Sequence, residues 1–153
     1  SIAEEDLDRL ELSDVVSRGW GLISTEQAEL SIEADRTIVA DESRLRQLIE
    51  NLIQNSIEHG IPENHSDSDD SVTVRIGALP NGFYVADDGP GIPESEREDV
   101  FEPGYSTRED GTGFGLGIIR NVIEAHGWDV TITESTDGGA RFEITGVDAV
   151  TLD

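Results

Sequence analysis

Residues 41–60 read Asp41-Glu42-Ser43-Arg44-Leu45-Arg46-Gln47-Leu48-Ile49-Glu50-Asn51-Leu52-Ile53-Gln54-Asn55-Ser56-Ile57-Glu58-His59-Gly60. Leu45, Leu48, Ile49, Leu52, Ile53 and Ile57 recur at helical spacing and form one apolar stripe. Asp41 is a good N-cap, carboxylates come early, and no glycine interrupts before Gly60. A long helix with a single apolar face must lie on another layer. On the same helix, Asn51 and Asn55 stand one turn apart at the edge of the stripe. Two half-buried amides need partners. Either they bond to loops and backbone, or they aim neutral oxygens at a cation or phosphate. Mg²⁺ accepts an amide oxygen where phosphates already bring the negative charge.

Working outward, Glu29–Glu33 and Thr37–Ala40 read as two short strands before this helix. Ser13 reads as the N-cap of a shorter helix through Val15, Val16 and Trp20. After the helix, residues 61–71 are polar and turn-rich, a surface loop. Val72–Ile76 leads through Pro80-Asn81-Gly82 to Phe83–Ala86 as a hairpin. Ile118, Ile119, Val122, Ile123 and His126 mark a second core helix, stopped by Gly127. Trp128–Glu134 and Arg141–Val147 close the chain as strands joined by Asp137-Gly138-Gly139. The pattern is α+β: a largely antiparallel sheet covered by helices on one face.

Composition narrows the function. The chain has 153 residues with 34 Asp plus Glu against 10 Lys plus Arg, for a formal charge of −24. Every basic residue is Arg. That balance excludes a basic nucleic-acid-binding face and makes an anionic membrane a poor partner. Hydrophobic residues are 35% and aromatics 5%, so the core is built from Ile, Leu and Val. A folded domain with a solvated acidic surface, of the kind salt-loving haloarchaea make, accounts for the charge better than disorder does. Molar salt shrinks the Debye length to about 3 Å and screens the self-repulsion. Cysteine is absent, so there is neither a disulfide framework nor a thiolate metal site. The absence of methionine suggests an excised domain. No apolar run approaches the roughly 20 residues of a membrane span.

Two more stretches carry chemistry. Asp87-Asp88-Gly89-Pro90-Gly91-Ile92-Pro93 follows a strand. Its glycines permit close approach to a flat ligand, and its carboxylate can accept from an exocyclic amine. Alone, the stretch is also an ordinary turn. Gly111-Thr112-Gly113-Phe114-Gly115-Leu116-Gly117 runs into the second helix and offers N–H groups to an anion. It lacks the Gly-Lys-Ser/Thr of a Walker A loop.

In this order and spacing, the motifs resemble the ATP-binding catalytic domain of sensor histidine kinases, within the superfamily shared with gyrase, the Hsp90 chaperones and MutL. Asn51–Ser56 resembles the N box and Asp87–Gly91 the G1 box. Phe101-Glu102-Pro103-Gly104-Tyr105-Ser106-Thr107 resembles the F box, and Gly111–Gly117 the G2 box. The likeness covers roughly residues 12–147. It implies a two-layer α/β sandwich of Bergerat type, with about five strands, about three helices and a mobile ATP lid. The domain would occupy 12–153, with 1–11 a linker or the end of an upstream dimerisation helix. By resemblance, Asn55 coordinates Mg²⁺ on the ATP phosphates and Asn51 supports metal or phosphate. Asp87 accepts the adenine amino group, Gly89 and Gly91 let the backbone pass the base, and Ile92 begins the lid. Phe101 anchors that lid, and Gly111, Thr112, Gly113, Phe114, Gly115 and Leu116 wrap the triphosphate.

One position departs from the family. Many members carry Lys three residues after the metal-binding Asn; here it is Glu58, followed by His59, which is placed near the phosphate end. Arg108 is the candidate substitute cation or, equally, a solvated lid residue. Relatives that hydrolyse ATP place a Glu base where this chain has Asn51. An amide takes no proton, which favours phosphoryl transfer to a histidine that brings its own base. None of His59, His65 and His126 is followed by Glu or Asp, so the acceptor lies on a dimerisation domain outside this chain. The implied partners are ATP, that domain and a response-regulator receiver. The fragment would be a cytoplasmic monomer cut from a homodimeric parent. The alternatives are an ATP-binding module that no longer transfers phosphate and a serine-kinase anti-sigma factor.

Overall fold

A computed structural model describes residues 4–23, 28–60, 72–89, 116–134 and 138–147. Ten elements matter: β1 (Asp8–Glu11), α1 (Leu12–Ile23), β2 (Ala28–Ile32), β3 (Thr37–Ala40), α2 (Glu42–Gly60), β4 (Val72–Leu79), β5 (Gly82–Asp87), α3 (Leu116–His126), β6 (Asp129–Glu134) and β7 (Ala140–Thr145). Five strands form a mixed sheet in the order β2-β4-β5-β7-β6; β2 and β4 are parallel and the other neighbours antiparallel. β1 and β3 make a separate antiparallel ribbon. This is the expected α+β sandwich: α2 and α3 pack on the sheet and α1 packs on α2.

The apolar stripe of α2 is the centre of the core. Leu45, Leu48, Ile49, Leu52 and Ile53 are fully buried and Ile57 packs at the edge. Each such side chain contributes about 1.5–3 kcal/mol relative to exposure. They meet Val74, Ile76, Phe83 and Val85 from the sheet and Ile119, Val122 and Ile123 from α3 in one cluster. Asp41 caps α2 as expected: its Oδ1 accepts from Arg44 N–H at 3.1 Å and its carbonyl from Leu45 N–H at 2.8 Å.

Two features differ from the sequence reading. The expected linker over 1–11 contains, over its last four residues, strand β1 paired with β3. An acidic stretch with one inward apolar residue, Leu10, carries almost no strand signature. Second, α1 begins at Leu12, so Ser13 is inside the helix rather than before it. Its cap comes from afar. Asp35 accepts from Ser13 N–H at 2.8 Å and from the Ser13 hydroxyl at 2.7 Å. Those bonds, the hydroxyl's first, hold the Asp35 carboxyl below the usual carboxylate range.

α3 stops at a Schellman motif. Gly127, at φ 73°, takes the left-handed conformation. Its N–H donates to Glu124 O at 3.1 Å, and Trp128 N–H donates to Ile123 O at 2.9 Å. At one end of the sheet, the β4–β5 turn is gripped twice. Arg36 Nη1 donates to Leu79 O and Gly82 O at 2.8 and 3.0 Å, and Val147 N–H donates to Asn81 O at 3.0 Å. The other end of β5 is Asp87.

Candidate functional site

β5 lies in the middle of the sheet, so its last residue is buried on both sides. Asp87 is only 5% exposed. Gly89 N–H and Ala140 N–H both donate to its Oδ1, at 2.9 and 3.2 Å. That arrangement fixes the carboxylate plane and leaves Oδ2 for a ligand. Burial pushes the Asp87 carboxyl up to about 6, against the pull of the Gly89 and Ala140 amides and the nearby Ser56 hydroxyl. A carboxylate held at this cost near neutrality is strongly disposed to accept an N–H from a bound base.

α2 delivers the amides. Asn51 is half-buried and Asn55 is 5% exposed. Asn51 Nδ2 donates to Gln47 O at 2.7 Å, and Asn55 Nδ2 donates to Asn51 O at 2.9 Å. Each NH₂ is tied to the backbone of the preceding turn. The expected bonding of these amides to backbone is thus observed for both nitrogens. The donor set, neutral oxygens without carboxylates, suits a hard cation that arrives with phosphates.

Three residues of this site escape sequence reasoning. Ser56 follows Asn55 and is 2% exposed; its hydroxyl is buried with no hydrogen bond of good geometry, yet lies close enough to Asp87 to favour the charged carboxylate. Gly139 packs so tightly on Asp87 that a Cβ there would collide with the Asp87 backbone and carboxylate. Ala140 acts through its backbone N–H, which has no side-chain signature. The only hint in the sequence is the second glycine of Asp137-Gly138-Gly139, one more than a tight turn needs.

Gly89 closes the turn onto Asp87, Leu116 opens α3, and His59 lies in the last turn of α2. Gly91, Ile92, Phe101, Arg108, Gly111, Thr112, Gly113, Phe114 and Gly115 lie outside the described residues. The structure thus brings Asp87 together with Gly89, Ser56, Gly139 and Ala140, and sets Asn51 and Asn55 one turn apart on the helix that carries Ser56. Among the described residues, no cluster of His, Asp or Glu forms a metal site, and no helix is long and apolar enough to cross a membrane.

An oriented buried carboxylate at a strand end, beside a helix bearing Asn at i and i+4, is the arrangement expected of a nucleotide seat. Residues 40–148 match the family of histidine kinase-, DNA gyrase B- and HSP90-like ATPases. The chain belongs to that family. Among curated relatives, sensor histidine kinase ZraS of Salmonella typhimurium is 32% identical over 150 residues, covering 90% of this chain and 30% of the relative. The adaptive-response sensory kinase SasA of Prochlorococcus marinus is 31% identical over 140 residues, covering 85% of this chain and 33% of the relative. The chain therefore spans about a third of such kinases. The catalytic domain of histidine kinase ThkA superposes with a TM-score of 0.69 at 26% identity, covering 90% of this chain and 93% of that one. Full-length ShkA in complex with AMPPNP superposes at 0.70 with 27% identity, covering 92% of this chain and 31% of that one. The fold and ATP-binding family expected from the four motifs are confirmed.

Proposed function

We propose that this chain binds ATP with Mg²⁺ and donates the γ-phosphoryl group to a histidine on a separate dimerisation domain, as the catalytic part of a two-component sensor kinase. The observation that carries the reading is the buried carboxylate of Asp87, pinned by Gly89 and Ala140 and reached by Ser56 of the helix that bears Asn51 and Asn55. Asp87 Oδ2 would accept the adenine amino group. Asn55, supported by Asn51, would hold Mg²⁺, which neutralises charge on the phosphates when bound. Asn51, whose NH₂ donates to Gln47 O, cannot serve as a base for water. That supports transfer to a nucleophile over hydrolysis. Gly91, Ile92, Phe101 and Gly111–Leu116 would complete the lid and phosphate wrap, with His59 and Arg108 near the phosphates. A receiver domain would take the phosphoryl group next, and the parent would be a homodimer with this domain in the cytoplasm.

The test is incubation with γ-labelled ATP, alone and with the parent's dimerisation helices. Labelling only in the presence of the helices is expected. Strong labelling of the isolated chain would overturn the proposal. Glu58, standing where many members carry Lys, favours one second reading, an ATP-gated module without transfer. Such a module would bind ATP and label neither helices nor receiver.

A further inference from the structure

His126 is 8% exposed at the C-terminus of α3, and the proposed chemistry makes no use of it. Its ring is committed on three sides. Nδ1 lies 2.8 Å from Val122 O, and Nε2 accepts the backbone N–H of Asp41 at 3.1 Å. The face stacks on Trp128, with centroids 4.2 Å apart and planes inclined by 24°. A carbonyl on one nitrogen and an N–H on the other define one state, the neutral ring with its proton on Nδ1. The bond to Val122 ties the ring to a carbonyl one turn back in α3. The bond from Asp41 satisfies the amide of the residue that caps α2. One side chain thus joins the end of one helix to the start of the other.

The joined helices frame the nucleotide seat. Ten residues forward from Asp41 along α2 is Asn51; ten residues back from His126 along α3 is Leu116, where α3 begins. At 1.5 Å per residue, both lie about 15 Å from the junction. α2 and α3 pack against each other, so a slip at the junction becomes an offset between the Asn51–Asn55 turn and the start of α3.

We infer that His126 is a positioning residue, a staple whose neutral ring sets the axial register of α2 against α3 and thereby the geometry of the ATP site. Protonation would place an N–H on Nε2 against the Asp41 N–H and open the staple. The charged groups facing the ring are both at the start of α2: the carboxylate of its cap, Asp41, favours protonation and the Arg44 guanidinium opposes it, while Trp128 on the β6 side is neutral. Burial is the largest influence and holds the ring's pKa below its usual value.

This inference rests on the ATP-binding reading, and its test separates the two. The 153-residue chain is compared with His126→Phe, which keeps the ring stack and loses both bonds, and with His126→Gln, whose amide oxygen reaches the place of Nε2. Nitrogen-15 NMR of the wild-type ring is expected to show the Nδ1–H tautomer at neutral pH. Exchange of the Asp41 amide should accelerate in His126→Phe and remain slow in His126→Gln. Affinity for ATP·Mg should fall roughly tenfold in His126→Phe, recover in His126→Gln, and in wild type weaken more steeply than in His126→Gln as the solution is acidified. An Nε2–H tautomer, or wild-type ATP affinity and Asp41 exchange in His126→Phe, would overturn the staple. If the wild-type chain binds no ATP, the functional reading fails by itself, while the tautomer and the Asp41 exchange still decide whether His126 joins the helices.

Discussion

Asp87→Asn separates what the site needs from what the fold prefers. The amide keeps an oxygen where Gly89 and Ala140 donate and removes the buried charge. The folded chain binds a proton at Asp87 with a pKa of about 6, against 3.8 for the unconstrained group. A raised folded pKa means its contribution to stability is fully present below 3.8 and lost as pH rises through about 6. Above that range the buried carboxylate costs about 3 kcal/mol, at 1.36 kcal/mol per pKa unit. Asp87→Asn is free of that cost. Thermal unfolding in molar KCl should therefore show the two proteins alike near about pH 4 and the variant ahead near about pH 8. At about 2–4 °C per kcal/mol for a chain of this size, the gap is about 6–12 °C. ATP·Mg should raise the melting temperature of the wild type and barely move that of the variant, which lacks the acceptor for the adenine amine. Ser56→Ala, by removing a hydroxyl that favours the charged form, should move the wild-type transition to higher pH. A gap that is constant across pH, or a variant less stable at about pH 8, would refute the reasoning.

Gly139→Ala should cost about 1–3 kcal/mol in urea unfolding and weaken ATP binding together, because the new methyl group displaces the Asp87 carboxylate. Asp35→Ala should lose about 0.5–1 kcal/mol through the uncapped start of α1. Because the Asp35 carboxyl sits below its usual range, that loss should be full above 3.8 and vanish as pH falls through the folded value, checked by unfolding against pH. With a net charge of −24, the melting temperature should rise from low to molar KCl, and equal values would count against the salt-adapted reading.

The helix α2 was legible because six apolar residues repeat at one period and Asp41 stands in front of them. Asp87 and Gly89 alone read as an ordinary turn as well as a seat, and stood out only through the order and spacing of the four motifs. What was not legible is what reaches the site from elsewhere in the chain. Ala140 and Gly139 act through an N–H and through the absence of a Cβ, neither of which a sequence advertises. Asp35 caps Ser13 across 22 residues, a distance over which local pattern carries no information. β1 escaped because its partner β3, rather than its own composition, makes it a strand. His126 read as packing; its position at the end of α3 was visible, its bond to Asp41 was not.

The double grip on the β4–β5 turn bears on how the domain responds to mechanical load. Val147 holds Asn81 just beyond the end of β7, and β7 pairs with β5 from Thr145 opposite Gly82 to Arg141 opposite Ala86. A tether that pulls back from Val147 parts that clasp first and then unzips β7 one rung at a time toward Ala140. The contact that orients Asp87, from Ala140 N–H, is at the far end of this path, so it is the last to open under such a pull.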